Sequence, residues 1–212
     1  MTDDTYRTAM LVPPTSASLN EPSPEVPYDE IASPDIQALI DRMLEIGQGE
    51  QGNPEKPTLV GLAAPQLGVH KRIILVGIDA EGNGAAPQLE VFINPVISYR
   101  SPDLVENREG CYSTGRICGI VSRAQAVHIR AYNRFGDEID MSAQNFPARI
   151  FQHEIDHLDG VRFPDHITNP HHLHWVPAEL FGDYRQQWAN WNMLCPPERW
   201  QTMKQGRVEQ SV

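Results

Sequence analysis

The decapeptide FQHEIDHLDG, residues 151–160, constrains the chain more than any other stretch. Two histidines four residues apart fall on one face of an α-helix, so His153 and His157 can bind a single metal ion, with Glu154 placed to handle a proton. The apolar Ile150, Phe151, Ile155 and Leu158 flank the histidine face, and this spacing predicts a helix that is largely buried. Two ligands leave a site incomplete. The identity of the third decides the chemistry.

In one large group of zinc proteases the pattern continues as H-E-x-x-H-x-x-G-x-x-H. Here HEIDHLDGVRF matches through Gly160 and then has Phe163, which cannot ligate. Glu179, 22 residues beyond His157, is a downstream alternative on generic grounds. Upstream, REGCYS offers Cys111 as a thiolate, and a Cys/His/His set leaves a fourth position open. A lone cysteine is more often a small buried hydrophobe. Farther upstream, GLAAPQLGV places Gln66 after small residues and a proline, a shape suited to presenting an amide into a cleft.

The rest of the chain supplies the body for that helix. VPPTSASLNEPSPEVPY, residues 12–28, has no helix or strand period and reads as an extended arm. In ASPDIQALIDRMLEIGQG, Ser33 can cap, Pro34 suits the first helical position, and Ile36, Leu39, Ile40, Met43 and Leu44 recur at helical spacing. After the polar loop QGNPEKPT come short apolar runs, LVGLAA, RIILVGI, VFINPVI and AVHIRAYN, with turn signals EGNG and NRFGDE. These read as strands, mostly antiparallel because the links are short. The expected fold class is α+β, with antiparallel sheets packed around a central metal-binding helix in a single domain. A length of 212 residues suits one buried core better than two.

From residue 171 the character changes. All four tryptophans of the chain lie between Trp175 and Trp200, and Phe181, Tyr184, Trp188, Trp191 and Cys195 alternate at three and four residues. That stripe predicts a helix whose aromatic face packs on the body, with a dimer or partner surface as the alternative. The expected division is therefore an arm over 1–28, a catalytic unit over 29–170 and an aromatic, helical extension over 171–212. The histidines of HHLH, 171–174, are more often solvated than ligating.

Charge and cysteine usage limit the partners. A net charge of −11 opposes direct binding to a nucleic-acid backbone. Three cysteines without a framework spacing fit a reducing compartment. No apolar run reaches the length of a membrane span, and MTDDTYRTAM is acidic where a leader would be basic, so the expected location is cytoplasmic.

Taken in order, GLAAPQ at 61–66, EGCYS at 109–113 and QHEIDH at 152–157 resemble the three signature motifs of the peptide deformylase family. The resemblance covers roughly residues 30–168 and leaves out the arm and the tail. It implies a hydrolase that removes the formyl group from N-formyl-methionine at the N-terminus of nascent polypeptides, releasing formate. It further implies one divalent metal held by Cys111, His153 and His157, ferrous iron natively, with zinc or nickel tolerated. Glu154 would act as base and then acid, and the Gln66 amide and the Tyr112 backbone N–H would stabilise the oxyanion. Val60, Gly61 and Leu62 would lie beside the bound peptide.

Three positions depart from the family pattern. Leu59 stands where the first motif begins with glycine, Tyr112 where leucine is usual, and Cys118 where a basic residue often follows the cysteine by seven places. Asp156 and Glu109 are read two ways, as outer contacts with Arg123 as a partner or as residues that simply face solvent. Some deformylases dock at the ribosome through a basic C-terminal helix, but residues 171–212 balance four acidic against four basic side chains, so only transient proximity is expected. Two readings rest on fewer features: a peptidase with a downstream ligand, and a protein that binds formylated chains without turning them over. The oligomeric state is not legible in the sequence.

Overall fold

The computed structural model describes residues 6, 8–49, 59–82 and 87–207. The loop QGNPEKPT lies outside the described residues, as does part of the EGNG turn. Among the described residues there are eight strands and four α-helices, besides short 3-10 turns. The strands are β1 (Gly61–Ala63), β2 (Ile73–Gly77), β3 (Leu89–Arg100), β4 (Leu104–Gly110), β5 (Ile117–Ala124), β6 (Ala126–Tyr132), β7 (Glu138–Gln144) and β8 (Leu173–Trp175). The helices are α1 (Pro34–Gly47), α2 (Asn145–Leu158), α3 (Phe181–Gln187) and α4 (Pro197–Lys204).

Two sheets form, one in the order β1-β2-β3-β6-β7 and one in the order β4-β5-β8. Every strand pairing is antiparallel, as the short links require. β1 and β4 are edge strands, one in each sheet, and both lead into the site. The mixed helix and antiparallel-sheet class expected from the sequence is the one observed.

α1 begins as read: Ser33 Oγ accepts the Ile36 N–H, and Pro34 occupies the first turn, where no N–H is needed. Its buried Ile36, Leu39, Ile40 and Met43 pack on Leu62, Ile73, Leu75 and Ile93. On the other side of the larger sheet, α2 sets Ala148, Ile150, Phe151, Ile155 and Leu158 against Ile74, Val76, Phe92, Val127 and Ile129. Phe92 and Phe151 meet edge to face at 4.7 Å between centroids. α2 is thus anchored by its apolar face, leaving the histidine side for β4.

The N-terminal arm lies along this body. Val12 donates to Gln66 O at 2.9 Å and Ser23 to Leu158 O at 2.7 Å, while Leu19 and Val26 are buried. Asn94 takes a φ of 51°, which asparagine tolerates, at a register shift in β3. Its side-chain amide pairs both ways with the backbone of Val26, each bond 2.8 Å, so the bulge fastens the arm to the sheet.

Arg162, 1% exposed, collects distant segments at one guanidinium. It donates to Pro14 O at 2.7 Å, to Ser113 O at 2.8 Å and to Asn20 Oδ1 at 2.8 Å. The Trp200 ring of α4 covers it at 4.4 Å, a cation–π contact.

The tail corrects one expectation. The aromatic stripe does not ride on one helix: α3 ends at Gln187, Trp188–Asn190 form a short 3-10 turn, and the chain then runs extended until Leu194 bridges to His174. Pro196 and Pro197 follow, and the restriction that proline puts on its predecessor keeps Cys195 out of a helix that α4 then restarts. Tyr184 and Cys195 are buried nonetheless, and Trp191 Nε1 donates to Trp175 O at 3.0 Å. The stripe packs on the protein by a folded-back chain instead of a helical face.

Candidate metal centre

β4 ends at Gly110 and delivers Cys111, while α2 presents His153 and His157 one turn apart. The Cys111 Sγ and one nitrogen from each histidine all lie within 4.8 Å of one another. Among the described residues this is the one grouping of three such side chains, and the 171–174 histidines and Glu179 are not in it. Glu179 is exposed and faces Arg116 at 3.9 Å, which removes it as the downstream ligand.

Each histidine is set by what its other nitrogen meets. His153 Nδ1 lies 2.9 Å from Glu109 Oε2, so Nδ1–H donates to the carboxylate and Nε2 turns toward Cys111. His157 Nε2 lies 3.4 Å from Cys111 Sγ, and its buried Nδ1 has no hydrogen-bond partner. Burial, then the charge of His153, pushes His157 well below the ordinary histidine range and keeps it neutral, the state a ligand needs. For His153 burial acts downward too, but hydrogen bonds to Cys111 and Glu109 outweigh it and raise the imidazole. A thiolate and two imidazoles converging in this way fit a transition metal such as zinc or ferrous iron.

Glu109 sits behind this arrangement, fully enclosed. Arg123 binds both its oxygens at 2.9 and 3.0 Å, and Arg149 adds a third contact at 2.6 Å. Burial alone would raise its carboxyl; the hydrogen bonds from His153 and Arg123, with Arg123's charge, hold it far below the usual carboxylate range. Arg123 continues to Asp156 at 2.5 Å, and Asp156 to His166 at 2.8 Å. The outer contacts named from the sequence therefore exist. Arg149 was not singled out there, because it is set in the apolar run ARIF, although it stands four residues before His153 on the same helix face.

Glu154 follows His153 directly and is 4% exposed, with Oε2 left unpartnered. Burial pushes its carboxyl up to about 7. Gly61 explains how β1 approaches so closely: a Cβ there would collide with Glu154 Oε1 and with Ile150. Of its neighbours, Val60 is exposed and Leu62 is buried against α1, so β1 can offer Leu62 only through its backbone.

Gln66 is buried within the same space. Its Oε1 accepts the Ala63 N–H at 2.8 Å, which fixes the amide so that Nε2 points to Cys111 Sγ at 3.4 Å and Ser113 Oγ at 3.1 Å. Tyr112 begins a 3-10 turn with its ring half exposed at 51%, and Ser113 N–H donates to Cys111 Sγ at 3.4 Å. Cys118 is buried one strand away, where burial pushes its thiol up to about 12. It takes no part in the cluster.

The chain matches the family described as polypeptide deformylase over residues 10–172. It is 38% identical over 149 residues to peptide deformylase 1 of Prochlorococcus marinus, covering 66% of this chain and 72% of that protein. It is 43% identical over 143 residues to the peptide deformylase of Halothermothrix orenii, covering 67% of this chain and 83% of that one. Among solved structures, the Met-Ala-Ser-bound class I type b peptide deformylase from Acinetobacter baumannii superposes with a TM-score of 0.66 at 30% identity, over 75% of this chain and 98% of that one. A probable peptide deformylase from synechococcus phage S-SSM7 gives a TM-score of 0.64 at 30% identity, over 76% and 100% of the two chains. With the Cys/His/His cluster in place and the match spanning both edge strands and α2, the chain belongs to the peptide deformylase family, hydrolases that remove the N-formyl group from nascent polypeptides.

Proposed function

We propose that Cys111, His153 and His157 hold one divalent metal ion on α2 and that the chain hydrolyses the formamide of N-formyl-methionyl nascent peptides, releasing formate. The observation that carries this reading is the convergence of the three ligand atoms beside a buried carboxylate, Glu154, whose Oε2 has no other partner. Ferrous iron is the proposed native occupant, with zinc and nickel as substitutes. The ion, when bound, supplies Lewis acidity that activates water and polarises the formyl carbonyl.

Glu154 takes the proton of the attacking water and returns it to the departing amine. Its burial suits both halves of that task, because a carboxyl near neutrality exchanges a proton readily in either direction. The Gln66 amide, held by Ala63, and the Tyr112 N–H donate to the oxygen that becomes negative. The edge strand β1, with Val60 just before it and Gly61 and Leu62 in it, aligns the peptide as an added strand, with β4 as the opposite bank.

No described helix is long and apolar enough to cross a membrane. We place the reaction in the cytoplasm, in transient proximity to ribosomes, with the acidic chain making no direct nucleic-acid contact. The test is formate release from formyl-Met-Ala-Ser by protein prepared anaerobically with iron. Formate is expected, together with loss of both metal and turnover in Cys111→Ala. Metal-loaded, folded protein that releases none overturns the reading.

A further inference from the structure

Glu109 meets more positive charge than one carboxylate needs. Its Oε1 accepts from Arg123 Nε at 2.9 Å and from Arg149 Nη1 at 2.6 Å, and its Oε2 from Arg123 Nη2 at 3.0 Å and from His153 Nδ1 at 2.9 Å. Arg123 is paired a second time, with Asp156, which also accepts from His166. Arg149 has no second carboxylate: its other bonds go to the carbonyls of Val121 and Val105, at 3.0 and 2.6 Å.

Two carboxylates, Glu109 and Asp156, thus stand against two guanidiniums, Arg123 and Arg149, and the group presents no net charge to His153. Take Arg149 away and one negative charge is left uncompensated. The side chains of Glu109, Arg123 and Arg149 are 4%, 6% and 7% exposed, so solvent screens little of it. His166 adds a charge only when protonated, and Glu154 and Arg162, which also stand near the ligands, make no hydrogen bond to Glu109.

Charge of this kind reaches a metal through the imidazole. A carboxylate on Nδ1–H draws the proton toward itself and makes the other ring nitrogen a stronger donor, so the cation is held more tightly and keeps less of its positive charge. A guanidinium on the same carboxylate reverses the effect. Packing does not ask for a cation at 149, because its helix neighbours Ala148, Ile150 and Phe151 are apolar core residues and buried ion pairs are often replaceable by hydrophobes. The two carbonyls would accept from a neutral amide as readily as from a guanidinium.

We propose that Arg149 is a positioning residue that acts through Glu109 and His153: its charge offsets that of Glu109, so His153 ligates as a weaker donor, which loosens the hold on the metal and sharpens its Lewis acidity toward the formyl carbonyl. The inference rests on the metal-dependent deformylation reading and adds to it a residue outside the stretches GLAAPQ, EGCYS and QHEIDH.

The experiment compares Arg149→Gln, which keeps donors for Glu109 and the carbonyls but drops the charge, with Arg149→Lys, which keeps the charge. Zinc affinity is measured by competition with a chelator, which needs no turnover. Then kcat and KM are measured for formate release from formyl-Met-Ala-Ser by anaerobic, iron-loaded protein. Arg149→Gln should bind zinc about tenfold more tightly and turn over about tenfold more slowly, the lower end of what outer partners of a ligand impart, with KM changed less than kcat. Arg149→Lys should return both toward wild type. The opposite signs are the signature, because a residue that only holds β4 and β5 against α2 would lose affinity and turnover together. Loss of both in Arg149→Gln, unchanged zinc affinity, an effect confined to KM, or a lysine variant no better than glutamine would each overturn the proposal and leave deformylation standing. If neither variant folds, Arg149 is structural and the proposal fails as well. If the wild type itself releases no formate, the deformylation reading fails, and the zinc affinities still decide whether the charge at 149 loosens the site.

Discussion

Glu109 and His153 meet at 2.9 Å through Oε2 and Nδ1, and this bond ties the orientation of a proposed ligand to a carboxylate clamped by two arginines. Outer partners of this kind set the tautomer and basicity of the ligating imidazole. Glu109→Gln keeps the shape but surrenders the charge. Metal affinity, measured by competition with a chelator, should fall about 10- to 100-fold. Unchanged affinity would show that the clamp serves only the fold.

Glu154→Ala should separate binding from chemistry. The side chain is not a ligand in the proposed set, so stoichiometric metal by elemental analysis is expected to survive. Formate release should drop by about 10²–10⁴, the usual contribution of a positioned acid–base group. A parallel loss of metal would reassign Glu154 to the coordination sphere.

Gly61→Ala tests the close approach of β1 to α2. The added methyl meets the Glu154 carboxylate and Ile150, and both are buried. Overpacking of this sort costs about 1–3 kcal/mol, and part of it would be relieved by displacing Glu154. Lower thermal stability and a fall in kcat larger than the change in KM are expected. A variant with wild-type kcat would mean that β1 yields without moving the carboxylate.

The tail should carry a pH signature. His174 is buried, with Nδ1 3.1 Å from the Tyr184 hydroxyl and Nε2 3.0 Å from His171 O, so Nε2–H donates and Nδ1 accepts. Burial holds its imidazole below the ordinary value near 6.5. Above that value both folded and unfolded chains are neutral and the residue contributes no pH dependence. As pH falls below about 6.5, the unfolded chain binds the proton first, so stability declines. The loss of melting temperature between pH 7 and 5 should be smaller in His174→Gln than in the wild type. Equal slopes in the two proteins would remove His174 as the source.

Cys118 offers a check on burial. With its thiol pushed up to about 12, almost no thiolate exists at pH 8 and access is closed. Mass spectrometry after brief treatment of folded, metal-free protein with iodoacetamide should find Cys118 unmodified, and denaturation should expose it.

Helices with strong signals were legible in full. Ser33 and Pro34 mark the start of α1, and the apolar spacing around His153 gives α2 its buried face. Strands β1, β2, β3 and β6 announced themselves by apolar runs. β4, β5 and β7 did not. β4 reads LVENREG, an edge strand whose apolar Leu104 and Val105 are exposed and whose buried Glu109 is charged, so neither alternation nor apolar content betrays it. Its existence depends on pairing with β5, a tertiary fact. For the same reason the motifs pointed to the residues that group together, Cys111, His153 and His157, but not to Arg149, whose contacts exist only once β4 crosses α2.

The guanidinium of Arg162 draws together residues 14, 20, 113 and 200, segments that are scattered over nearly the whole chain. Loops that long close late, because their entropy is spent before any contact repays it. The turn after Cys111 is therefore expected to settle late, around both ends of the chain. A ribosome still holding the final helix would be carrying a protein whose turn after Cys111 lacks one of its supports.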